Sequence, residues 1–265
     1  MIIVNGTKIV QNRFPDNTLL IRPYFDDKEE EFTILWRYES DAELFTLYCL
    51  TQHIRRIFSE PKITLILPYI PNARMDRVKS EEDVFTLKYF AEAINSMNFT
   101  QVDVLDPHSA VSEALINNIM INTPEEEIKK AIAKCNPDML FYPDEGAMKR
   151  YAALAPMEYA FGVKKRDWSS GKILGLDIVG SDVAGKNILI IDDICSRGGT
   201  FYHAAKKLKE AGAADIYLYI THCEDTIYEG ELLKDDSLIK RIYTTDSLLT
   251  KTDDNRIEVI TSYYA

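Results

Sequence analysis

The stretch of this sequence that most clearly indicates a ligand site consists of two adjacent carboxylates followed by a glycine-containing loop. Asp192 and Asp193 close a short apolar run, and five loop residues follow: Ser196, Arg197, Gly198, Gly199 and Thr200. Adjacent glycines let backbone N–H groups approach an anion closely, and a helix that starts there adds its positive end. The carboxylates would repel that anion, so they suit sugar hydroxyls or metal-bound water instead. The whole stretch therefore predicts a site for a ribose 5-phosphate.

The surrounding pattern indicates the elements that hold this site. Residues 187–191 read as a buried strand, apolar residues recur at helical spacing from Phe201 to Ala211, and residues 215–220 read as the next strand. This is a βαβ unit with the loop at the carboxyl end of its first strand. A strand that ends in two acids before a capped helix is the structural alternative. The Ser/Thr-Gly loop directly after the acids favours the ligand site.

Composition limits the class of protein. The chain has 265 residues, 46% of them hydrophobic, with a net charge of −11, which argues against a nucleic-acid surface. Its four cysteines show no Cys-x-x-Cys pairing and read as reduced thiols. No apolar run is long enough to span a membrane, so we expect a cytosolic (cytoplasmic) protein.

Other predicted strands are also followed by side chains that could bind a ligand or take part in catalysis. Residues 68–77 form a proline-bounded loop carrying Arg74 and Arg77, and guanidinium groups suit oligophosphates. A solvated loop of mixed charge is the alternative there. Asp106 and His108 follow the strand at 101–105, which is where open α/β sheets bind ligands. Three cations after the strand at 159–163 indicate a charged lid, although a basic surface turn would fit that stretch alone.

The stretch at 192–200 resembles the phosphoribosyl-pyrophosphate motif of type I phosphoribosyltransferases, most closely its version in ribose-phosphate pyrophosphokinases. Four further segments of the chain resemble motifs of the ribose-phosphate pyrophosphokinases, and they occur in the same order as in that family. The resemblance implies that Arg74 and Asp76 belong to the loop that grips the phosphates of ATP. It implies that Phe14 and Asp16 help to hold ATP from a neighbouring subunit, with Thr18 standing where the family has Glu.

The same resemblance implies the catalytic and metal-binding groups. The family's counterparts of Asp106 and His108 contact the catalytic Mg²⁺ or its waters, and Asp144 matches an aspartate that reaches the ribose or the metal. Lys164 and Arg166 match a Lys-x-Arg pair that stabilises the transferring group. The implied fold is α/β, with two tandem type I phosphoribosyltransferase-like domains that have central, mostly parallel sheets. We place the N-terminal, ATP-phosphate-binding domain at residues 1–135 and the C-terminal, ribose-5-phosphate-binding domain at 136–265, and expect a homo-oligomer.

The implied activity is transfer of the β,γ-diphosphate of ATP to the anomeric hydroxyl of a 5-phosphorylated ribose, releasing AMP. The acceptor is either ribose 5-phosphate or ADP-ribose, whose pyrophosphorylated form could feed NAD salvage. ADP-ribose is considered because Ser196 and Arg197 stand where the family usually has Asp-Thr. Two alternatives stay open: a phosphoribosyltransferase that consumes phosphoribosyl pyrophosphate, and a catalytically silent, synthetase-like regulator.

Overall fold

Parallel strand pairing organises both parts of the chain. The computed structural model describes residues 1–166, 173–234, 237–262 and 264, and its contacts divide the chain into two units. The first unit is Met1–Thr123 with Tyr264, and the second begins at Pro124. This division lies before the helix that the sequence analysis assigned to the first domain. Ile128 and Ala131 of that helix pack into a core cluster of the second unit, which explains the difference.

The first unit contains a six-stranded sheet in the order β2-β1-β5-β6-β7-β8, with β5 to β8 parallel. Its elements are β1 Ile2–Val4, β2 Thr7–Lys8, β3 Asn12–Arg13, β4 Leu19–Leu20, β5 Glu31–Trp36, α1 Ala42–Ile57, β6 Lys62–Leu67, α2 Thr86–Ser96, β7 Gln101–Leu105, α3 Val111–Leu115 and β8 Ile119–Asn122. Strands β3 and β4 form a separate antiparallel hairpin.

The second unit contains a seven-stranded sheet in the order β11-β10-β9-β12-β13-β14-β15, parallel except for the β10–β11 hairpin. Its elements are α4 Glu125–Cys135, β9 Met139–Tyr142, α5 Glu145–Tyr151, β10 Tyr159–Arg166, β11 Ile173–Gly180, β12 Ile188–Cys195, α6 Gly199–Glu210, β13 Ile216–Cys223, a 3-10 turn at Asp225–Glu229, β14 Arg241–Thr245 and β15 Ile257–Ile260.

The cores follow from the alternation of side chains along the strands. In β5 the buried positions are Phe32, Ile34 and Trp36, and they pack with the apolar faces of α1 and α2. In β12 the buried run is unbroken from Ile188 to Ile191, as expected for a central strand that is covered on both faces. Successive residues of that run belong to different core clusters, so the second sheet is packed on both sides.

The mixed α/β fold with mostly parallel sheets in two units is confirmed, but several predicted boundaries are wrong. Strand β10 continues to Arg166 and contains the three cations that were predicted to follow it at residue 163. Strand β13 continues to Cys223, three residues beyond its predicted end. Strand β12 continues to Cys195 and contains both aspartates, whereas the sequence analysis ended the strand at residue 191. The residue pattern over 225–234 predicts a short helix, but the structure has only the 3-10 turn Asp225–Glu229 there. No helix among the described residues is long and apolar enough to cross a membrane.

Candidate functional site

The paired carboxylates are fixed by the sheet itself. Asp192 lies opposite Ile220 in the parallel ladder between β12 and β13, and Ile194 lies opposite His222. The backbone N–H of Asp193 donates to Asp192 Oδ1 at 3.0 Å, and that of Ile194 donates to Asp193 Oδ1 at 2.9 Å. Both side chains are therefore held at the strand end that leads into the glycine-containing loop.

Asp193 is engaged within the protein by a residue that the sequence analysis missed. Arg150 Nη1 in α5 donates to Asp193 Oδ2 at 2.9 Å, and the two side chains are 30% and 8% exposed. A buried carboxylate needs such a partner because desolvation penalises its charge. This pairing leaves Asp192 as the member of the pair better suited to sugar hydroxyls.

Three carboxylates of the second unit influence one another electrostatically. Burial, the charge of Asp193 and the charge of Asp144 raise the pKa of Asp192 well above its ordinary value of 3.8. A raised carboxyl pKa beside a ligand loop is typical of functional sites, because a bound hydroxyl or cation can relieve the repulsion.

This raised pKa predicts that Asp192→Asn stabilises the fold while it weakens acceptor binding. The folded protein holds the Asp192 proton more tightly than the unfolded chain does, so its contribution to stability is lost as pH rises above 3.8. Asp192→Asn should raise the melting temperature at neutral pH, and the gain should shrink as pH falls toward 3.8. The KM for the acceptor should rise at least about tenfold, because a charge-assisted hydrogen bond is lost.

The exposed Asp253 supplies the control, since Asp253→Asn should change neither quantity. A melting temperature for Asp192→Asn that is lower than that of the wild type at neutral pH would contradict the assignment.

The loop after β12 is shaped by a segment further along the chain. Gly198 has φ +75, and a Cβ there would lie 2.3 Å from Leu232 Cδ1. A Cβ on Gly230 would lie 1.9 Å from the carbonyl oxygen of Arg197, a contact that no side chain permits. Gly199 and Thr200 are exposed at the first turn of α6. The loop thus offers backbone N–H groups, a hydroxyl and a helix N-terminus to an anion.

Arg197 and Ser196 occupy different environments in this loop. Arg197 forms an exposed ion pair with Glu229, with its Nη2 and Nε at 2.8 and 3.2 Å from Glu229 Oε2. The sequence analysis did not anticipate this partner. Ser196 is half-buried where β12 ends. Arg197 can turn toward a ligand only by leaving Glu229, and an exposed pair of this kind costs little to break.

Asp144 begins α5 as its N-cap residue. Its Oδ1 accepts a hydrogen bond from the backbone N–H of Ala147 at 3.1 Å. Gly146 is confined by the same carboxylate, because a Cβ there would lie 3.2 Å from Asp144 Oδ1. The cap therefore fixes the Asp144 carboxylate at the carboxyl end of β9.

In the first unit, Asp76 connects the loops that follow β6 and β7. Arg77 Nε and Nη2 donate to the two carboxylate oxygens of the buried Asp76 at 2.8 and 3.1 Å. These bonds lower the pKa of Asp76, and Ser109 and His108 act in the same direction. Both loop arginines, Arg74 and Arg77, are exposed to solvent, and Arg77 forms the ion pair with Asp76.

Asp106 and His108 stand at the carboxyl end of β7. Asp106 is buried and has φ +43, a left-handed conformation that costs energy for most non-glycine residues but that Asp adopts more readily than most. Its backbone N–H donates to Asn122 O at 2.9 Å. Among the described residues, no three His, Cys, Asp or Glu side chains form a group that could enclose a metal ion. Mg²⁺ usually binds through one or two carboxylates, waters and substrate phosphates, so these side chains fit it without a protein cage.

The β3–β4 hairpin carries Phe14 and Asp16. Phe14 is half-exposed, and its backbone N–H donates to Thr18 O at 2.9 Å. Thr18 donates to Asp16 Oδ1 through both its hydroxyl, at 2.7 Å, and its backbone N–H, at 3.0 Å, which lowers the pKa of Asp16. The residue that replaces the expected Glu therefore holds the aspartate in the turn.

The backbones of Lys164 and Arg166 lie in β10. Lys164 pairs with Leu176 and Arg166 with Ile173 in the antiparallel β10–β11 hairpin, with a register shift between Lys165 and Arg166. Residues 167–172, the rest of the predicted lid, lie outside the described residues.

Comparison with known proteins agrees with this arrangement. Residues 168–262 match the model of the phosphoribosyl synthetase-associated domain. The chain is 27% identical over 263 residues to a ribose-phosphate pyrophosphokinase of Thermococcus kodakarensis, covering 96% of this chain and 91% of that protein. It is 29% identical over 255 residues to the Bradyrhizobium diazoefficiens protein of the same name, covering 92% and 78%.

A solved structure extends the agreement to the fold. The phosphoribosylpyrophosphate synthetase of Mycobacterium smegmatis superposes with a TM-score of 0.79 at 20% identity, covering 96% of this chain and 86% of that one. The sequence matches and the shared fold both extend over the two units. The chain is thus similar to ribose-phosphate pyrophosphokinases over nearly its whole length, and it has the fold of a phosphoribosylpyrophosphate synthetase.

Proposed function

We propose that this protein is an ATP-dependent pyrophosphokinase that acts on the anomeric hydroxyl of a 5-phosphorylated ribose. The observation that carries the proposal is that each unit presents ligand-type side chains at the carboxyl ends of its parallel strands. The first unit offers Arg74 and His108, and the second offers Asp192 and the loop after it. Two polyanionic substrates call for two such sites. A phosphoribosyltransferase that consumes phosphoribosyl pyrophosphate needs only the second.

The proposed reaction is an in-line displacement at the β-phosphorus of ATP. The C1 hydroxyl oxygen forms a bond to that phosphorus, the bond to the oxygen bridging the α- and β-phosphates breaks, and AMP leaves. The hydroxyl proton passes to solvent. Arg74 binds the phosphates of ATP, Asp192 accepts hydrogen bonds from the ribose diol, and Lys164 and Arg166 stabilise the charge of the transferring group. Phe14 and Asp16 contact the nucleotide of a neighbouring subunit in a homo-oligomer.

Magnesium is the proposed cofactor. Asp106 and His108 in the first unit, and Asp144 in the second, are the residues that would hold Mg²⁺ directly or through water. When bound, the ion neutralises the β- and γ-phosphate oxygens.

For the acceptor we propose ADP-ribose beside ribose 5-phosphate, which would supply a NAD salvage route. ADP-ribose is a ribose 5-phosphate whose phosphate carries AMP, so its binding site must be open on one side. Two features support this: Gly199 and Thr200 are exposed, and Arg197 forms a surface ion pair with Glu229 that is easily exchanged for a phosphate. A loop that enclosed a terminal phosphate would leave no exit for the second phosphate.

The deciding experiment measures AMP release from ATP with each acceptor in the presence of Mg²⁺ and after chelation. Release that requires both Mg²⁺ and an acceptor supports the pyrophosphokinase. Binding of ATP without AMP release, for any acceptor, would instead indicate a silent regulator. Base-dependent consumption of phosphoribosyl pyrophosphate would indicate a phosphoribosyltransferase.

Substitutions of Arg197 and of Glu229 should have opposite effects on the use of ADP-ribose as acceptor. Arg197→Ala should lower kcat/KM for ADP-ribose at least about tenfold, because an arginine–phosphate contact contributes roughly 1.5–3 kcal/mol. Use of ribose 5-phosphate should change little. Glu229→Gln should raise kcat/KM for ADP-ribose up to about fivefold, since an exposed ion pair contributes about 0.2–1 kcal/mol. Equal losses for both acceptors in Arg197→Ala would assign Arg197 to the shared phosphate or to the fold of the loop.

A further inference from the structure

The loop that carries Asp106 and His108 begins where β7 ends, and the last residue of β8 holds its first residue. The backbone N–H of Asp106 donates to the carbonyl oxygen of Asn122 at 2.9 Å. Asn122 ends β8 and lies opposite Leu105 in the parallel ladder between β7 and β8. Because β8 is the edge strand of the six-stranded sheet, the position of Asn122 depends strongly on what its side chain contacts.

The side chain of Asn122 contacts Tyr264, a residue far along the chain. Asn122 Nδ2 donates to the hydroxyl oxygen of Tyr264, and that hydroxyl donates to the carbonyl oxygen of Val104 at 3.3 Å. Asn122 Nδ2 also donates to Val104 O at 3.4 Å. Tyr264 is separated from Asn122 by 142 positions in sequence and from Val104 by 160. The three groups form a closed triangle at the carboxyl ends of β7 and β8.

Burial gives this network its weight. Tyr264 is 7% exposed, and a buried phenol hydroxyl needs a hydrogen-bond partner. Removing one member of a buried pair leaves the other group desolvated and unpaired, which costs more than the loss of a surface contact. By its contacts Tyr264 belongs to the first unit, although it follows β15, the last strand of the second. The chain thus returns to the first unit and supplies one hydroxyl at these strand ends.

The backbone changes direction sharply at Asp106. Its φ of +43 directly follows the extended residues of β7, so the direction of the next residues, His108 among them, depends on this one turn. The Asp106 N–H follows its acceptor, and a shift of the Asn122 carbonyl would therefore turn the loop as a whole. A group that fixes Asn122 fixes the direction of both loop side chains.

We infer that Tyr264 is a positioning residue for the loop that carries Asp106 and His108, and that it acts through Asn122. Its hydroxyl orients the Asn122 side chain, and the Asn122 carbonyl holds the Asp106 N–H. The inference rests on the proposed function in one respect, namely that Asp106 and His108 hold Mg²⁺. Groups that orient metal-binding side chains from behind commonly change metal affinity when they are removed.

Tyr264→Phe tests this role because it removes the hydroxyl and keeps the ring. The Mg²⁺ concentration that gives half-maximal AMP release should rise about fivefold, the loss expected for one buried hydrogen bond. The kcat at saturating Mg²⁺ should stay within about twofold of the wild-type value, since no group that touches the substrates is removed. A hydroxyl with only a structural role would lower the melting temperature and leave the Mg²⁺ requirement unchanged.

Amide hydrogen exchange of the ligand-free protein gives a readout that does not depend on activity. In Tyr264→Phe the amide of Asp106 should exchange at least about fivefold faster than in the wild type, because its acceptor is held less firmly. The amides of β6 should exchange at unchanged rates, which would show that the opening is local.

Thr51→Val is the matched control. The buried Thr51 hydroxyl in α1 donates to Leu47 O at 2.8 Å, so this substitution also removes a buried hydroxyl–carbonyl bond from the first unit. It should change neither the Mg²⁺ requirement nor the exchange of the Asp106 amide. Equal changes in the Thr51 and Tyr264 variants would reflect a general loss of stability and would overturn the inference.

Asn122→Ala tests the route between Tyr264 and the loop. It should raise the Mg²⁺ requirement by itself, and adding Tyr264→Phe should raise it by less than about a further twofold, because the hydroxyl then has no Asn122 side chain to orient. Fully additive effects would overturn the inference, and so would an unchanged Mg²⁺ requirement in Tyr264→Phe, whether or not exchange becomes faster. Absence of Mg²⁺-dependent AMP release from the wild type would instead remove the proposed function, and exchange in the same variants would still decide whether Tyr264 holds the loop.

Discussion

Lys164→Ala and Arg166→Ala should each lower kcat about a hundredfold or more while changing the affinity for ATP only a few fold. Cations that act on the transferring group matter most when its charge rearranges, so their loss appears in kcat rather than in substrate binding. A single preorganised donor of this kind contributes on the order of a hundredfold or more to the rate. Both residues belong to β10, whose ladder with β11 fixes their backbone.

Lys165 provides the matched control, since it lies between the two in the same strand and matches no family position. Lys165→Ala should retain kcat within a few fold. Steady-state kinetics on the three variants, with ATP affinity measured separately by calorimetry, tests the assignment. Normal kcat in both the Lys164 and Arg166 variants would remove these residues from the catalytic group.

Arg150→Met should have the largest effect on stability, because it leaves Asp193 charged, buried and without its cation. Breaking a fully buried pair costs about 3–5 kcal/mol, and the partial exposure of Arg150 reduces the expected loss to about 2–3 kcal/mol. The KM for the acceptor should also rise, since Asp193 adjoins Asp192. Urea unfolding and acceptor kinetics measure the two effects.

Two further variants separate charge from packing. Lys149→Met removes only an exposed pair with Glu145 in the same helix, so it should cost less than about 0.5 kcal/mol. Adding Asp193→Asn to Arg150→Met should restore most of the lost stability, because the uncompensated charge disappears. Failure of that double variant to recover would mean that Arg150 stabilises α5 through its stem and not through the ion pair.

Local sequence pattern was enough to predict most of the fold, but it misplaced the ends of several strands and of one helix. The buried runs and helical stripes predicted the central strands, because periodicity directly reflects which faces are covered. Asp192 and Asp193 looked like the end of a strand, yet β12 continues through them since Arg150 and the ladder with β13 satisfy their polar groups. The helix predicted after β13 stops at Glu229, because Gly230 must fit against the carbonyl of Arg197.

For the site, the sequence indicated residue types and not their partners. Asp76 was identified through its motif, but its connection to Ser109 and His108 joins loops from two different strands. The pairs Arg150–Asp193 and Arg197–Glu229 likewise join residues distant in sequence, and neither has a local signature. The sequence feature that could have indicated a role for Arg150 is that α5 carries more basic than acidic side chains. Pairings of this kind depend on topology, which periodicity does not encode.

The tight contact of Gly230 with the Arg197 carbonyl has a consequence for protein engineering. The loop at residues 196–200 and the segment around Gly230 and Leu232 pack closely against each other, so neither should retain its shape when only the other is replaced. Transplanting residues 196–200 from a relative into this chain would import a loop whose counterpart is missing. A chimera designed to alter acceptor choice must therefore exchange residues 229–232 together with the loop.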